Sequence, residues 1–340
     1  MIEVKHLSKS FGDKRAIDDL SFTVKEGVAY GFLGRNGAGK TTTIRVLMNV
    51  FREDSGEALF DGVPAYKESK RIGYLPEERG LYSKREVLEQ LVYFGRLKGL
   101  DRRSSEKEAK AKLEEMDATE YTKKKLETLS KGNQQKIQLA VAMLGDPDVI
   151  ILDEPFSGLD PINAQILKNA VRRQVDEGRT VIFSSHQMAQ VEEFCDDICI
   201  IDKGHAILEG NLNSIKRSYP RDLLYIETEQ IEGSSIRQAN TIVNILQKQP
   251  YVKEVLPKGS GYTVKLDDPA KRSLLLRTLE EENERVDSFY VVEPSLEQIF
   301  VEKTGTVDSQ EDDTASGKGE ANKKDGRKKG FGLFGRRAVK

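Results

Sequence analysis

Apolar and polar positions follow three rhythms along this chain, and each predicts a different element. From Ile2 to Leu7 and from Ala16 to Val24 they alternate around the turn Gly12-Asp13-Lys14, which predicts antiparallel β structure with one face covered. Val28 to Leu33 is a short apolar run followed by glycines and then by Ile44, Val46, Leu47 and Val50 at helical spacing: a strand, a loop and a helix. Between about 83 and 145 the helical rhythm takes over, with Leu88, Leu91, Val92, Leu113 and Met116 on periodic faces; Ser83 with Glu86 and Ser105 with Glu108 read as capping boxes. Val149–Leu152 and Thr180–Phe183 are wholly apolar, as strands buried on both faces of a parallel sheet must be. The helix between them opens at Asp160-Pro161, carries Ile162, Ile166, Ala170 and Val171, and closes at Gly178. The fold class is therefore α/β: a parallel core sheet, an antiparallel β subdomain and an α-helical subdomain.

Around Tyr219-Pro220 this rhythm stops. Strand 223–228, helix 236–247, hairpin strands 252–256 and 262–266 around Gly259-Ser260-Gly261, helix 270–282 and strand 286–292 give the order βαββαβ, which predicts a small α+β, ferredoxin-like domain over 222–302. Ser295-Leu296-Glu297-Gln298 caps a last short helix. From 305 to 340 large apolar residues are almost absent until Phe331, so this stretch is expected to be a disordered tail.

Composition narrows the function classes. A net charge of −2 argues against a globally basic nucleic-acid binder, although 32% of residues are charged. No run of 18 apolar residues occurs that would cross a bilayer. The two cysteines, Cys195 and Cys199, without a basic-then-apolar N-terminal signal, point to the reducing cytosol and to packing rather than a metal site.

The chemistry begins at Gly34-Arg35-Asn36-Gly37-Ala38-Gly39-Lys40-Thr41-Thr42. Such a string turns several backbone N–H groups and the start of a helix towards one anion, so Gly34, Asn36, Gly37, Gly39, Lys40, Thr41 and Thr42 are the candidate ATP-binding residues. Lys40 is placed to reach the β- and γ-phosphates, and the Thr41 hydroxyl to ligate Mg²⁺. Asp153 and Glu154 follow a buried strand, where open α/β sheets bind ligands: Asp153 suits Mg²⁺, and Glu154 suits the orientation or deprotonation of an attacking water.

With these strings in order, the chain resembles the nucleotide-binding subunit of an ABC transporter over about residues 1–218. Leu129-Ser130-Lys131-Gly132-Asn133-Gln134-Gln135 is similar to the family's signature, Ser157-Gly158-Leu159-Asp160 to its D-loop, and His186 to its switch histidine. The resemblance implies an ATPase that uses ATP and Mg²⁺. It also implies that Ser130, Gly132 and Gln134 act on ATP held by a second subunit, a like copy or a paralogue, so that two chains close head to tail. His186 alone would also fit a capping histidine, and Phe11 fits either stacking on adenine or ordinary packing. Lys131 and Asn133 depart from the usual signature. Glu77, in Gly73-Tyr74-Leu75-Pro76-Glu77, stands where the family carries a carboxamide that ligates Mg²⁺; it is either a metal ligand or part of a solvated Glu77-Glu78-Arg79 turn.

The 222–302 unit, ending in Ser295-Leu296-Glu297-Gln298-Ile299-Phe300, is similar to the accessory domain of sodium and drug exporters of the NatA type. That implies integral membrane permease subunits as partners, no nucleic acid, and a cytoplasmic place on the inner face of the cell membrane. The competing class is a soluble ABC-type ATPase acting on nucleic acid or ribosomes; it would bring a long heptad run or a second P-loop, and neither occurs. In the tail, Lys and Arg residues surround Phe331, Leu333 and Phe334, which suits either a solvated segment or contact with an anionic membrane surface.

Overall fold

The structure is a computed structural model that describes residues 1–67, 71–78, 80–229 and 235–305. The expected tail with its basic cluster lies outside those residues.

In chain order, β1 (Ile2–Phe11), β2 (Lys14–Val24) and β3 (Ala29–Leu33) lead into α1 (Lys40–Leu47). Next come β4 (Ser55–Phe60), β5 (Val63–Pro64), β6 (Ile72–Leu75), α2 (Val87–Leu97), α3 (Arg102–Glu115) and α4 (Lys131–Ala142). The central alternation is β7 (Val149–Asp153), α5 (Pro161–Asp176), β8 (Thr180–Ser185), α6 (Met188–Phe194), β9 (Asp197–Asp202), β10 (His205–Asn211) and α7 (Leu212–Ser218). The last part holds β11 (Leu223–Thr228), α8 (Ser235–Gln247), β12 (Val252–Lys258), β13 (Gly261–Leu266), α9 (Arg272–Glu281), β14 (Val286–Val291) and α10 (Leu296–Thr304).

One sheet runs β2-β1-β4-β5 and is antiparallel. The central sheet runs β10-β9-β3-β8-β7-β6, parallel except for β10 at its edge. Every residue of β3, β7 and β8 is buried, as their unbroken apolar runs require, because helices cover one face and the antiparallel sheet the other. Cys195 and Cys199 pack as small apolar groups, one in each of the two hydrophobic clusters flanking this sheet.

The third sheet, β12-β13-β11-β14, is antiparallel throughout and completes the βαββαβ order. It has its own core, including Leu224, Ile226, Val264, Leu266, Leu275 and Leu279. Helix α10 belongs elsewhere: Leu296, Ile299 and Phe300 are buried in the core of the central sheet. Its Ser295–Gln298 capping box forms in both directions.

The other two capping boxes do not form. Helix α2 starts at Val87 because residues 83–87 are claimed by strand-like pairing with 124–127, through Val87 N–H to Lys124, Glu127 N–H to Ser83 and a Glu86–Lys125 bridge. Helix α3 starts four residues earlier than a cap at Ser105 implies, because Asp101 accepts from the amides of Arg103 and Ser104. Ser105 is instead buried inside the helix, its Oγ only 2.5 Å from where a Cβ on Gly95 would stand, so a serine and a glycine let α2 and α3 approach. Ile162 also departs from the expected apolar stripe: it lies on the outward first turn of α5 and is 76% exposed, while Leu167, Ala170 and Val171 are buried. Among the described residues no helix is long and apolar enough to cross a membrane.

Within the helical subdomain, a buried cation ties α2 to the end of α4. Lys98, at the end of α2, donates to the carbonyls of Val141, Ala142 and Leu144 at 3.0, 3.0 and 2.8 Å, closing the C-terminus of α4. Burial pushes this lysine down to about 8. Substituting Lys98→Met keeps the stem and strands three carbonyls, so it should cost about 1–3 kcal/mol of unfolding free energy. Urea denaturation of the two proteins at neutral pH measures this, and identical midpoints would contradict the pinning role.

Candidate nucleotide site

Parallel pairing sets the C-terminal ends of four strands side by side. Leu33 pairs with Ser185, Asp153 with Ser184, and Leu75 with Leu152. The loops that leave these strands therefore share one edge. They bring Lys40, Thr41, Thr42, Asn36, Gly37 and Gly39 into one cleft of about 280 Å³ with Asp153, Glu154 and Glu77. Lys14, Ala16 and Arg35 complete its wall.

The loop's shape depends on glycine at Gly39. Its φ of 112° is left-handed, and a Cβ there would stand 2.6 Å from the carbonyl oxygen of Ala16. The loop folds back on its own lysine: Lys40 Nζ donates to the carbonyl of Gly34 at 2.6 Å and to that of Arg35 at 3.3 Å. Gly34 thus touches Lys40 through its backbone without lining the cleft.

The cleft gathers one buried ammonium and three carboxylates. Burial lowers the Lys40 ammonium, while the charges of Glu154, Asp153 and Glu77 act to raise it. Burial raises the Asp153 carboxyl, and the negative charges of Glu77 and Glu154 push it the same way. The Thr41 hydroxyl stands 3.3 Å from Asp153 Oδ2. The Thr41 hydroxyl beside Asp153, in a cleft that Glu77 and Glu154 also line, offers oxygen donors of the kind a hard divalent cation takes, while among the described residues no three acidic side chains are gathered closely enough to form a metal cluster by themselves. Glu77 itself is exposed at the rim, and its charge is felt at both Lys40 and Asp153.

Glu154 is buried and held in a left-handed backbone conformation, φ 49°, with its N–H on the carbonyl of Ser184 at 2.9 Å. Its carboxylate accepts from Ser185 Oγ at 3.1 Å and the backbone N–H of His186 at 2.8 Å, and lies 2.7 Å from His186 Nδ1. The structure thus joins Glu154 and His186 directly. Ser185 is the partner that sequence reasoning left unassigned, because only the register between β7 and β8 brings it there.

Phe11 does not line the cleft. It is 45% exposed, packs edge-on against Phe51 with ring centroids 5.2 Å apart, and pairs across the hairpin with Lys14, which does line it. Ser130, Gly132 and Gln134 also stand apart, at the start of α4. Ser130 caps this helix by accepting from Asn133 N–H, and Gln134 turns its amide to the carbonyls of Leu126 and Leu129. Asp160 caps α5, and its Asn163 sits where a Cβ on Gly132 would come within 2.8 Å of the Asn163 amide nitrogen, which ties D-loop and signature together within one chain.

A phosphate loop after β3, an acidic pair at the end of β7 with β8 between the two strands, and a helical subdomain carrying a second helix start define an ATP-hydrolysing cassette. The family model described as ABC transporter matches residues 17–157, and that of the C-terminal domain of DrrA1-3-like ATP-binding proteins matches 210–304. The chain is 40% identical to the uncharacterized ABC transporter ATP-binding protein YhaQ of Bacillus subtilis (strain 168), across 90% of this chain and 99% of that protein. It is 30% identical to the linearmycin resistance ATP-binding protein LnrL of the same organism, across 90% and 98%. A solved ATP-binding subunit of an ABC transporter, 29% identical, superposes with a TM-score of 0.59 over 64% of this chain and 92% of its own. The chain belongs to the ABC transporter ATP-binding protein family, with the C-terminal domain of its DrrA-like branch; it is the ATP-binding subunit of such a transporter and an ATPase.

Ser185 holds Glu154 yet does not line the cleft. Replacing it by alanine removes one hydrogen bond, so kcat for ATP hydrolysis should fall about threefold to tenfold while KM for ATP stays near wild type. Steady-state ATPase kinetics test this; a raised KM with unchanged kcat would show that Ser185 acts on binding instead.

Proposed function

We propose that this subunit powers export through separate integral membrane permease subunits, by closing head to tail with a second ATP-binding subunit over two ATP molecules. The observation that carries the pairing is the separation of the chain's own parts. Lys40, Thr41, Asp153 and Glu154 share one cleft, whereas Ser130 and Gly132 at the start of α4 are not among its lining residues. A helix start with a serine hydroxyl suits a phosphate, and a partner's ATP supplies one. Ile162, exposed just after Asp160, is an apolar side chain that such a partner would cover.

Within each site, Lys40 and the loop amides bind the phosphates, with Phe11 beside Lys14 near enough to the cleft wall to meet the adenine. Thr41, Asp153 and Glu77 would hold Mg²⁺, which when bound neutralises phosphate charge. Glu154, oriented by Ser185 and His186, aligns a water. Attack forms the new P–O bond at the γ-phosphorus and breaks the bond to the bridging oxygen of ADP, and Glu154 takes up the water's proton.

Export as the direction rests on the accessory domain's resemblance to exporters of the NatA type and on the resistance role in the name of a relative that spans 90% of the chain. The subunit then works on the inner face of the cell membrane, docked to its permease. With a net charge of −2 it needs no nucleic-acid partner.

Glu154→Gln should bind ATP, hydrolyse it at least a hundredfold more slowly, on the order of what loss of a general base costs, and accumulate an ATP-dependent dimer. Lys40→Ala should lose nucleotide affinity and give no dimer. Light scattering with and without ATP-Mg²⁺ distinguishes the two; a Glu154→Gln protein that stays monomeric at high concentration counts against the pairing. A second measurement concerns Glu77. Ligand charge sets much of the hold on a hard cation, so Glu77→Gln should raise the Mg²⁺ concentration for half-maximal activity, and superimposable titrations would remove Glu77 from the metal site.

A further inference from the structure

The similarity to the DrrA-like C-terminal domain runs to residue 304, yet its last helix is not part of that domain's own core. Leu296, Ile299 and Phe300 are at most 1% exposed and pack with Phe156, Phe183, Phe194 and Val191 beneath the central sheet. From there α10 reaches the nucleotide site through Phe300 and is tied to α6 at its start. The face of the Phe300 ring lies under the guanidinium of Arg35, with the guanidinium carbon 5.9 Å from the ring centroid. Arg35 lines the cleft, and its carbonyl accepts from Lys40 Nζ and from Ala38 N–H, so its backbone is part of the turn that shapes the phosphate loop. At the other end, Glu192 on α6 accepts from the N–H of Leu296 at 3.2 Å and pairs with Lys216 of α7.

We propose that α10 is a clasp on the ATP site, with Phe300 a positioning residue that orients the phosphate loop through Arg35, and Glu192 the mooring that keeps the helix in place. A ring inserted beneath a loop cation limits the conformations of that cation and of the backbone carrying it. The contact is buried on the phenylalanine side, so it is screened little by salt. The accessory domain thereby gains a route to nucleotide affinity: displacement of its last helix would take the Phe300 ring from beneath Arg35.

The inference rests on the ATP site of the family, so ATP binding by the unaltered full chain is the control, and its failure would be a failure of that site rather than of the clasp. Phe300→Leu, which keeps an apolar side chain and loses the ring, should raise KM and the dissociation constant for ATP about threefold to tenfold with kcat nearly unchanged. Phe300→Tyr keeps the ring and should restore the wild-type KM. Arg35→Met should raise KM as well, and adding Phe300→Leu to it should change nothing further, because one acts through the other. Glu192→Ala leaves loop and ring intact and should raise KM in the same direction by freeing the start of α10. If Phe300→Leu does not fold, Phe300→Met takes its place in the same cycle. A wild-type KM in the ring-less variant, full additivity with Arg35→Met, or a Glu192→Ala effect confined to kcat would each overturn the clasp.

Discussion

The in-register parallel pairing of β3, β8, β7 and β6 is the constraint on which the site depends. β3, β8 and β7 are too apolar to lie anywhere but between covered faces, β6 at the edge is buried at alternate residues, and each ends where its polar loop begins. Once Leu33 is opposite Ser185 and Asp153 opposite Ser184, the phosphate loop, the acidic pair and His186 must emerge at one edge. A shift of one residue along β7 would turn Asp153 to the opposite face and take Glu154 away from Ser185. The sheet's hydrophobicity is thus what sets hydrogen-bond distances among charged residues far apart in sequence.

That edge also stores unfavourable terms. Asp153, Glu154 and Glu77 crowd a partly dry cleft in which the ammonium of Lys40 is itself desolvated. Glu154 adds a left-handed backbone, worth about 1 kcal/mol or more of strain for a residue other than glycine. Its amide on Ser184 and its carboxylate on Ser185 and His186 over-determine that conformation. Stiffness here has a physical consequence: a carboxylate held by several donors keeps its orientation without reorganising.

The parts of this arrangement legible in the sequence are those written in contiguous residues. A glycine-rich string between a strand and a helix, or two carboxylates closing an apolar run, state their chemistry locally, and so does the βαββαβ order of the third sheet. What depends on distant pairing was not legible. Ser83 and Glu86 have the spacing of a cap, but residues 124–127 compete for the same backbone and win. Ser105 has it too, yet Asp101 offers a carboxylate one turn earlier, and the serine serves better as a small contact against Gly95. Ser185 looked like a neighbour of His186 rather than a support for Glu154. Nothing in Ser295–Phe300 says that its apolar side chains fill the other domain's core, since an amphipathic helix does not specify which surface it covers.

The segment that opens α4 stands apart from the cleft described above. Its polar side chains are already satisfied at home: Gln134 on two carbonyls, Asn133 on the Tyr121 hydroxyl, Ser130 as a cap. A loop that had to break these bonds to meet a phosphate would give back much of what the phosphate offers. Ser130 escapes that conflict because a hydroxyl has both roles: as cap it accepts from Asn133 N–H with a lone pair, and its O–H is still able to donate. The helix start behind it contributes its partial positive charge in either state. The absence of a side chain at Gly132 leaves room only for Asn163, which is tied in turn to Asp160. Asn163 thus stands between the start of α4 and the cap of α5.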